Sequence, residues 1–506
     1  MCSQKQHRAE FGDFQTPIDL AREVCSLVTR TGFHPSSVLE PTCGSGSFIR
    51  ATLEAFPYVS RVLGFDINER HTEQARRVVA AVSSNAFIEI RQSDFFLIDW
   101  SKIVGELPEP VLIIGNPPWV TNAELSTIGS NNLPTKSNID NLRGIDALTG
   151  RSNFDISEWM LRKSLEWLDG KSGILAVLCK TSVARKVLTS AWRRAATIAS
   201  AAIYKVDAKQ HFGATVDSCL LLVRTDPAGR TKECSEYSSL NSQQPSNVFG
   251  LRDGRLAANV ETYGKWRDLV ATGMNGWRSG IKHNCIKVFE LQLHNGNFVN
   301  GLGEFVGIEP GVVFPLLKSS DLARNREPHR WMIVPQRLMG EDPSHLQHDA
   351  PETWSYLMDH ARLLDKRASV IYKKRPRFSI FGVGPYSFAP WKVAISSLYK
   401  KLHFVQVPPF QGRPVVLDDT CYFFPCRSRE ECELLHTLVQ SDPAKEFLSG
   451  FIFWDAKRPI TAQLLNLLDL LALARVIGRV SDTTRTLAER QVIKYTEGAH
   501  RQLLFR

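Results

Sequence analysis

The chain of 506 residues lacks an apolar N-terminal stretch and a long uninterrupted hydrophobic run. Its first seven residues, Met1 to His7, are polar, whereas a signal peptide needs an apolar core. The most apolar segment near the C-terminus, Leu464 to Val480, contains Asp469 and Arg475 and is therefore typical of a core helix rather than a membrane span. We predict a protein without membrane contacts that works in a reducing cytoplasm.

Paired cysteines are also missing, because the ten cysteines are scattered and form no Cys-x-x-Cys pair. The nearest approach to a zinc-binding pattern is Cys421, Cys426, Cys432 and His436. Their irregular spacing and the lack of a second close pair favour free structural thiols over zinc. No metal is therefore predicted.

The common nucleotide-binding motifs are absent, because the chain has neither Gly-Lys-Ser/Thr nor a complete Gly-x-Gly-x-x-Gly. It has instead a short glycine loop, Glu40 to Phe48, between a predicted strand and a predicted helix. Glu40 could hold an ammonium group while loop N–H groups take a carboxylate, which suits an amino-acid tail better than a pyrophosphate. The candidate cofactor residues of this loop are Glu40, Thr42, Cys43, Gly44 and Gly46.

The composition and the pattern along the chain predict more than one domain. Hydrophobic residues make up 43% of the sequence, enough for at least two cores, and the net charge of +10 suits a polyanionic partner without requiring one. From residue 11 to about 225, strands and helices alternate as in a doubly wound α/β sheet, and the Ser/Gln/Asn/Pro-rich stretch 226–250 predicts a linker. We expect a catalytic domain over 1–240, a mixed α+β domain over 241–430, and a C-terminal helical segment over 431–506 that packs on it.

Polar residues that could bind a ligand follow the predicted strands 37–40, 61–66, 87–90 and 111–115. Asp66, with Ile67, ends the second strand, where a carboxylate can bridge two ribose hydroxyls. Asp94 ends the third, where it can accept from an adenine amine while Phe95 lies against the ring. Taken singly, each aspartate could equally be a helix cap or a turn residue.

The string Asn116-Pro117-Pro118-Trp119 follows the fourth strand directly. The Asn116 side-chain oxygen and the Pro117 carbonyl could each accept one N–H of a nucleobase amine, which withdraws the nitrogen lone pair from the ring. The prolines stiffen the turn, and Trp119 offers a face for stacking. In isolation the string could be only a tight turn. Together with the glycine loop, Asp66 and Asp94, it predicts a site for S-adenosylmethionine beside an acceptor base.

These motifs resemble the gamma-class N6-adenine-specific DNA methyltransferases of bacterial restriction–modification systems over essentially the whole chain. Phe14-Gln15-Thr16-Pro17 resembles the family's N-terminal cofactor motif, and the order of motifs also matches. Segments 153–160, 180–186 and 212–219 look like family segments, and the last gives Phe212 as a second aromatic that sandwiches the base. Trp119 departs from the commoner Tyr or Phe.

The resemblance implies a Rossmann-like methyltransferase domain followed by a target-recognition domain. The implied reaction is direct methyl transfer from S-adenosylmethionine to N6 of an adenine flipped out of duplex DNA. It implies double-stranded DNA as the partner, together with a separately encoded restriction endonuclease. Because the cofactor motif begins near residue 11, no N-terminal nuclease domain is expected.

Three alternatives stay open at this stage. A protein glutamine methyltransferase uses a similar Asn-Pro-Pro-aromatic turn, but it would not need the large basic second half. An RNA adenine or guanine methyltransferase is a second alternative. A non-catalytic DNA-specificity subunit is the third, and the intact Asn116, Pro117, Asp66 and Asp94 argue against it.

The second half of the chain contains a basic stretch, 361–401, with ten Lys and Arg residues against the single acid Asp365. Interleaved aromatics favour DNA contact over an ordinary solvated face. Segments 279–284 and 316–322 resemble recognition-domain segments, and the polar stretch 121–153 is either a lid or a surface insertion. The candidate DNA-binding residues are Lys282, Lys373, Lys374, Arg375, Arg377, Lys392, Lys400 and Lys401.

Overall fold

The structure is a computed structural model that describes residues 15–119, 155–273, 276–369, 371–373 and 375–484. The predicted inserted loop 121–153, Phe14 and Lys374 lie outside the described residues. The chain divides into two units, Met1–Val260 and Glu261–Arg506. In the part of the chain that is described, no helix has the length and apolar character needed to cross a membrane.

The first unit is built on one ten-stranded sheet. Its strands are β1 (Ser37–Glu40), β2 (Arg61–Asp66), β3 (Phe87–Gln92), β4 (Val111–Gly115), β5 (Gly173–Lys180), β6 (Ile198–Asp207), β7 (Asp217–Thr225), β8 (Glu233–Tyr237), β9 (Asn247–Arg252) and β10 (Arg255–Ala257). Its helices are α1 (Ile18–Arg30), α2 (Ser47–Ala55), α3 (Glu69–Ala80), α4 (Trp100–Gly105), α5 (Ile156–Trp167), α6 (Thr181–Arg193) and α7 (Ala208–Phe212). The strand order is β10-β9-β8-β6-β7-β5-β4-β1-β2-β3.

The centre of this sheet is parallel. β1 pairs in parallel with β2 and β4, β2 with β3, and β4 with β5, while β7 is antiparallel to β5. All five residues of β4 are buried, as expected for a parallel strand covered on both faces. On one face, α1 packs the predicted apolar stripe Leu20, Val24, Leu27 and Val28 into the core. The predicted doubly wound α/β fold is confirmed.

The predicted linker over 226–250 is wrong, because β8 lies within it, β9 begins within it, and both strands extend the sheet beyond β6. Cys234 and Phe249 are fully buried, which supplies the apolar contacts that hold these short strands. The Ser/Gln/Pro-rich residues form only the turn between them. The units therefore divide after Val260 rather than at 240.

The second unit is mixed α+β, with a six-stranded and a four-stranded sheet. Its strands are β11 (Arg278–Ser279), β12 (Glu290–His294), β13 (Asn297–Asn300), β14 (Phe305–Val306), β15 (Val313–Leu317), β16 (Arg330–Ile333), β17 (Trp391–Ser396), β18 (Phe404–Val407), β19 (Val416–Leu417) and β20 (Cys421–Cys426). The sheet orders are β14-β13-β12-β16-β15-β19 and β11-β20-β17-β18.

Most helices of the second unit are short, and the longest is α14 near the end of the described chain. They are α8 (Val260–Trp266), which begins on the last residue of the first unit, α9 (Ile286–Phe289), α10 (Ser319–Ala323), α11 (Leu346–Asp349), α12 (Pro351–Asp359), α13 (Ala361–Asp365), α14 (Arg429–Gln440), α15 (Asp442–Ser449), α16 (Ala462–Leu465) and α17 (Leu470–Val476). α14 packs against β17 and β18, so the helical segment covers the four-stranded sheet.

Candidate active site

The glycine loop, Asp66 and the Asn-Pro-Pro-Trp turn leave the same edge of the sheet. β1 lies between β2 and β4, with Glu40 paired to Gly64 and Leu39 to Ile113. Because these strands are parallel, the segments that follow them meet at their carboxyl ends, where open α/β sheets bind ligands. A Cβ built on Gly115 would lie 3.4 Å from Glu40 Cγ, so the start of the turn rests against the start of the loop.

Asp66 anchors the glycine loop. Its Oδ2 accepts a hydrogen bond from Gly44 N at 2.9 Å, and its Oδ1 accepts from Asn68 N at 2.8 Å. Gly44 and Gly46 have φ angles of 49° and 88°, in the left-handed region that favours glycine. A Cβ on Gly46 would also lie 3.0 Å from Ala75 Cα. Asp66 therefore holds the loop directly, and each carboxylate oxygen keeps a lone pair for a ligand hydroxyl.

Most N–H groups of the glycine loop already donate hydrogen bonds within the protein, although the sequence suggested that they bind a ligand carboxylate. Cys43 N donates to Phe65 O, Gly46 N donates to Cys43 O, and Gly44 N donates to Asp66. Ser45 N donates to the side chain of Gln15, which is exposed, at 2.9 Å. An incoming carboxylate can therefore reach an amide most easily at Ser45, by replacing the Gln15 side chain.

Glu40 is a carboxyl buried without a cation. Its exposed fraction is 2%, and Oε2 has no hydrogen-bond partner among the described residues. Burial, with a smaller contribution from the negative charge of Asp66, raises the pKa of the Glu40 carboxyl well above its ordinary value. A ligand ammonium beside Oε2 would satisfy the oxygen and restore its charge, which fits the tail of S-adenosylmethionine.

A hollow next to the loop is lined by three of the predicted site residues, Thr42, Phe95 and Pro117. The Phe95 ring packs 4.9 Å from that of Trp100, centroid to centroid, which fixes its orientation. Asp94 Oδ1 accepts from Phe96 N at 2.9 Å and caps a short 3₁₀ turn, so the cap role considered for this residue is present. Ile67, at the end of β2, is 39% exposed.

The N-terminal motif connects the loop to the turn. Asn116 Nδ2 donates to Thr16 Oγ1 at 3.3 Å, and the neighbouring Gln15 reaches the loop at Ser45. Pro17, which follows Thr16, is exposed and lies directly before α1. Because the amide nitrogen of Asn116 faces Thr16, its Oδ1 is the atom oriented to accept from a substrate.

Trp119 is held by β5, which extends past the end of β4. The indole Nε1 donates to Leu178 O at 3.4 Å, and Lys180 Nζ donates to Trp119 O at 3.1 Å. Lys180 also forms an ion pair with Asp155 Oδ2 at 2.8 Å. The sequence placed Lys180 and Asp155 in family-like segments without giving either a role.

The two predicted base-stacking aromatics touch each other. The ring centroids of Trp119 and Phe212 are 5.4 Å apart, and the ring planes meet at 73°. A base held between parallel rings needs about 7 Å, twice the roughly 3.5 Å contact distance between carbon atoms. The predicted sandwich is therefore not formed in this structure, and the rings would have to separate to admit a base.

Comparison with known proteins identifies the family. No family model matches the chain. It is 42% identical over 473 residues to the type II methyltransferase M.NspV of Nostoc sp. (strain ATCC 29411 / PCC 7524), covering 93% of this chain and 98% of that protein. The chain belongs to the type II methyltransferases. A shorter match, 34% identical over 117 residues, covers 23% of this chain and 27% of the type II methyltransferase M.CvrRI of Paramecium bursaria Chlorella virus XZ-6E.

Among solved structures, the type IIL restriction-modification enzyme MmeI, determined in complex with DNA, shares the fold with a TM-score of 0.52 at 12% identity. The match covers 89% of this chain and 64% of that one. This likeness shows the fold alone, whereas membership of the type II methyltransferases makes this chain a DNA methyltransferase whose cofactor is S-adenosylmethionine. A methyltransferase activity and the S-adenosylmethionine cofactor, both expected from the sequence, are confirmed.

The predicted DNA-binding residues of the methyltransferase lie in different environments. Lys373, Lys400 and Lys401 are exposed, and Lys282 and Arg375 are partly buried. Arg377 is exposed but forms a two-point ion pair with Asp365, at 2.6 and 3.2 Å.

Lys392 does not belong in this set. Its exposed fraction is 0%, its Nζ donates to Ala389 O at 2.6 Å, and burial lowers the pKa of its amine to about 7. A side chain enclosed in this way cannot reach a phosphate, so this prediction is wrong. Cys432 Sγ of α14 donates to Lys392 O, and the Lys392 amine interacts electrostatically with Cys426 and Cys432, so α14 lies over this part of β17.

The cysteine cluster of the methyltransferase has ordinary partners. Cys421 and Cys426 are buried in β20, Cys432 lies in α14, and His436 Nε2 lies 3.1 Å from Phe404 O. Across the described ranges, no group of three or more His, Cys, Asp or Glu side chains is arranged to hold a metal ion.

Proposed function

We propose that this type II methyltransferase transfers a methyl group to N6 of an adenine flipped out of duplex DNA. In a restriction–modification system, this would protect the recognition site from a cognate, separately encoded endonuclease. The observation that carries the proposal is the position of the Asn116 turn. It begins against Glu40 and is tied through Thr16 and Gln15 to the glycine loop.

The turn supplies two acceptors for an exocyclic amine. Asn116 Oδ1 and the Pro117 carbonyl each accept one N–H, which bends the amine nitrogen and frees its lone pair. Pro117 and Pro118 limit the backbone freedom of the turn, so little ordering remains when the base arrives. The methyl group would come from S-adenosylmethionine: the N–C bond forms as the S–C bond breaks, the thioether leaves, and the amine gives up one proton to water. The chain's own task is alignment of the amine, and no covalent enzyme intermediate is needed.

Cofactor binding is assigned to the residues around the loop. Glu40 Oε2 would hold the ammonium of the amino-acid tail, and Ser45 N would receive its carboxylate once Gln15 moves away. Thr42, Cys43, Gly44 and Gly46 shape the loop, and Asp66 and Ile67 would bind the ribose. Asp94 and Phe95 would bind the adenine ring, with Phe95 fixed by Trp100.

The target base stacks on Trp119 after the Phe212 ring moves away. Lys180 holds the Trp119 carbonyl, and Leu178 holds the indole, so the Trp119 face stays fixed while the partly exposed Phe212 moves. Separation from 5.4 Å to about 7 Å is small enough for a side-chain rotation. Base flipping costs a few kcal/mol, which stacking and phosphate contacts offset.

The test uses purified full-length protein, labelled S-adenosylmethionine and four acceptors: duplex DNA, single-stranded DNA, RNA and a release-factor protein. We expect label in duplex DNA and, after enzymatic digestion, N6-methyladenine as the labelled nucleoside. Asn116→Ala should remove the label. Labelled cytosine would contradict the adenine assignment, and label only in RNA or protein would contradict the substrate.

A further inference from the structure

A buried charged cluster lies in the second unit, outside the candidate active site. Glu290, the first residue of β12, has 7% of its side chain exposed. Its Oε1 lies 2.6 Å from Lys318 Nζ and 3.1 Å from His283 Nε2. Lys318 lies between β15 and α10. The cluster thus joins segments 279–284 and 316–322, for which the sequence gave no individual roles.

Fold stability alone does not explain this cluster. Removing two charges from water costs several kcal/mol per ion, and apolar residues of equal volume often stabilise a fold as well as a buried ion pair does. Within the described part of the chain, no hydrogen bond ends on Glu290 Oε2. Glu290 therefore has one oxygen bonded to its neighbours and one available.

The cluster lines open space. Two hollows of about 320 and 400 Å³ share Ile286, Glu290 and Lys318 in their linings. Volumes of this size lie within the range of ligand sites. Ile286 is 60% exposed and Tyr399, which lines the larger hollow, is 40% exposed, so exposed apolar surface lines the hollows together with the charged groups.

The charges around the hollows favour an uncharged hydrogen-bonding group, such as a base edge, over a phosphate or a cation. Glu290, Asp418 and Asp419 line the larger hollow and would repel a phosphate, while Lys318 and, in the smaller hollow, Arg330 would repel a cation. The Glu290–Lys318 pair places a hydrogen-bond acceptor directly beside a donor. In the major groove, each base pair presents an exocyclic amine donor next to a carbonyl acceptor, which is the complementary arrangement.

We propose that Glu290 and Lys318 read the major-groove edge of one base pair of the target site. Glu290 Oε2 accepts from the amine of adenine or cytosine, and Lys318 Nζ donates to the neighbouring carbonyl oxygen. His283 orients the carboxylate, and Ile286 and Tyr399 contact the adjacent base or sugar. The inference rests on the proposed function, because it takes duplex DNA as the substrate.

The test compares the methylated sequences produced by full-length variants. Random duplex DNA is methylated in vitro, and methylated adenines are mapped by sequencing. Glu290→Gln and Lys318→Arg keep the volume or the charge, so both should fold. Each should relax or change the preference at one base pair by about 10- to 100-fold, the effect of one good base contact. Cofactor affinity should stay within about threefold of wild type, since the cofactor site lies in the other unit.

The matched control is Glu446→Gln, which removes one charge of the exposed Lys265–Glu446 pair in the same unit. It should leave the methylated sequence unchanged. If Glu290→Gln and Lys318→Arg also leave it unchanged while wild type methylates DNA, the base-reading role is overturned and the cluster is structural. If wild type methylates no duplex DNA at all, the proposed function fails first.

Discussion

Lys180 offers the sharpest test of how the catalytic turn is held. Its ammonium donates to Trp119 O at 3.1 Å and pairs with Asp155, whose side chain is 7% exposed. Lys180→Met removes both contacts and leaves a buried carboxylate without its cation. If both partners were completely buried, this substitution would lower the free energy of unfolding by about 3–5 kcal/mol. The Lys180 side chain is 23% exposed, so water screens part of the charge, and we expect about 2–3 kcal/mol in unfolding free energy.

A double-mutant cycle separates the ion pair from general packing damage. Asp155→Asn combined with Lys180→Met leaves no buried charge, so the double variant should lose less stability than the sum of the single losses, by about 1–2 kcal/mol. Urea unfolding measures the four free energies. The control is Lys163→Met, which breaks the exposed pair with Glu166 in the same unit and should cost less than about 1 kcal/mol. Additive losses in the cycle would refute the coupling.

The same variant tests the function of the contact. Without Lys180 the Trp119 carbonyl is no longer fixed, so the methyl-transfer rate should fall by about 10- to 100-fold while cofactor affinity changes little. Lys180→Arg, which can still donate to both oxygens, should recover part of the rate. A 2-aminopurine base at the target position would report the flipped state by fluorescence. Unchanged single-turnover rates in Lys180→Met would show that the contact does not position the turn.

Three further predictions concern the site and the basic stretch. Asn116→Ala should lower transfer by about 10²-fold or more, because it removes one of two acceptors; calorimetry should still show cofactor binding, and its loss would contradict the assigned role. Asp66→Ala removes the acceptor of the Gly44 amide, so the glycine loop is no longer anchored and the affinity for the cofactor should fall about tenfold. An unchanged affinity would refute the anchoring role. Replacing Lys373, Lys374 and Arg375 together by Ala should weaken DNA binding and flatten its salt dependence, and an unchanged salt slope would mark this stretch as ordinary surface.

The central sheet could be predicted because its physical signals are local. The bounds of β1, β2 and β4 coincide with the predicted strands 37–40, 61–66 and 111–115. Each is a short apolar run followed by a polar or glycine-containing turn, which is the pattern that burial on both faces imposes. The additional strands β8 and β9 were missed because they are short and lie in polar sequence. They are held by pairing rather than by their own pattern, because β8 pairs with β6 and β9 pairs with β8.

The candidate active site was predictable for the same reason. Parallel strands place their carboxyl ends at one edge, so residues far apart in the sequence, such as Glu40 and Asn116, are predicted to be neighbours once the strands are known. The supporting contacts were not predictable. Lys180 reaches Trp119 only because β5 extends past β4, and a strand's length relative to its neighbour depends on register. The edge-to-face contact of Trp119 with Phe212 likewise depends on side-chain rotamers.

The second unit shows why a charge count is a weaker guide than a strand pattern. The basic stretch predicted DNA contact from composition, yet Lys392 is enclosed under α14 and Arg377 is paired with Asp365. Composition records which charges exist, whereas burial and pairing decide which of them can meet a phosphate. The charged groups that we propose to read bases, Glu290 and Lys318, lie outside that stretch, about 28 residues apart in sequence and 2.6 Å apart in the fold. Base recognition therefore has to be sought in the geometry of single contacts.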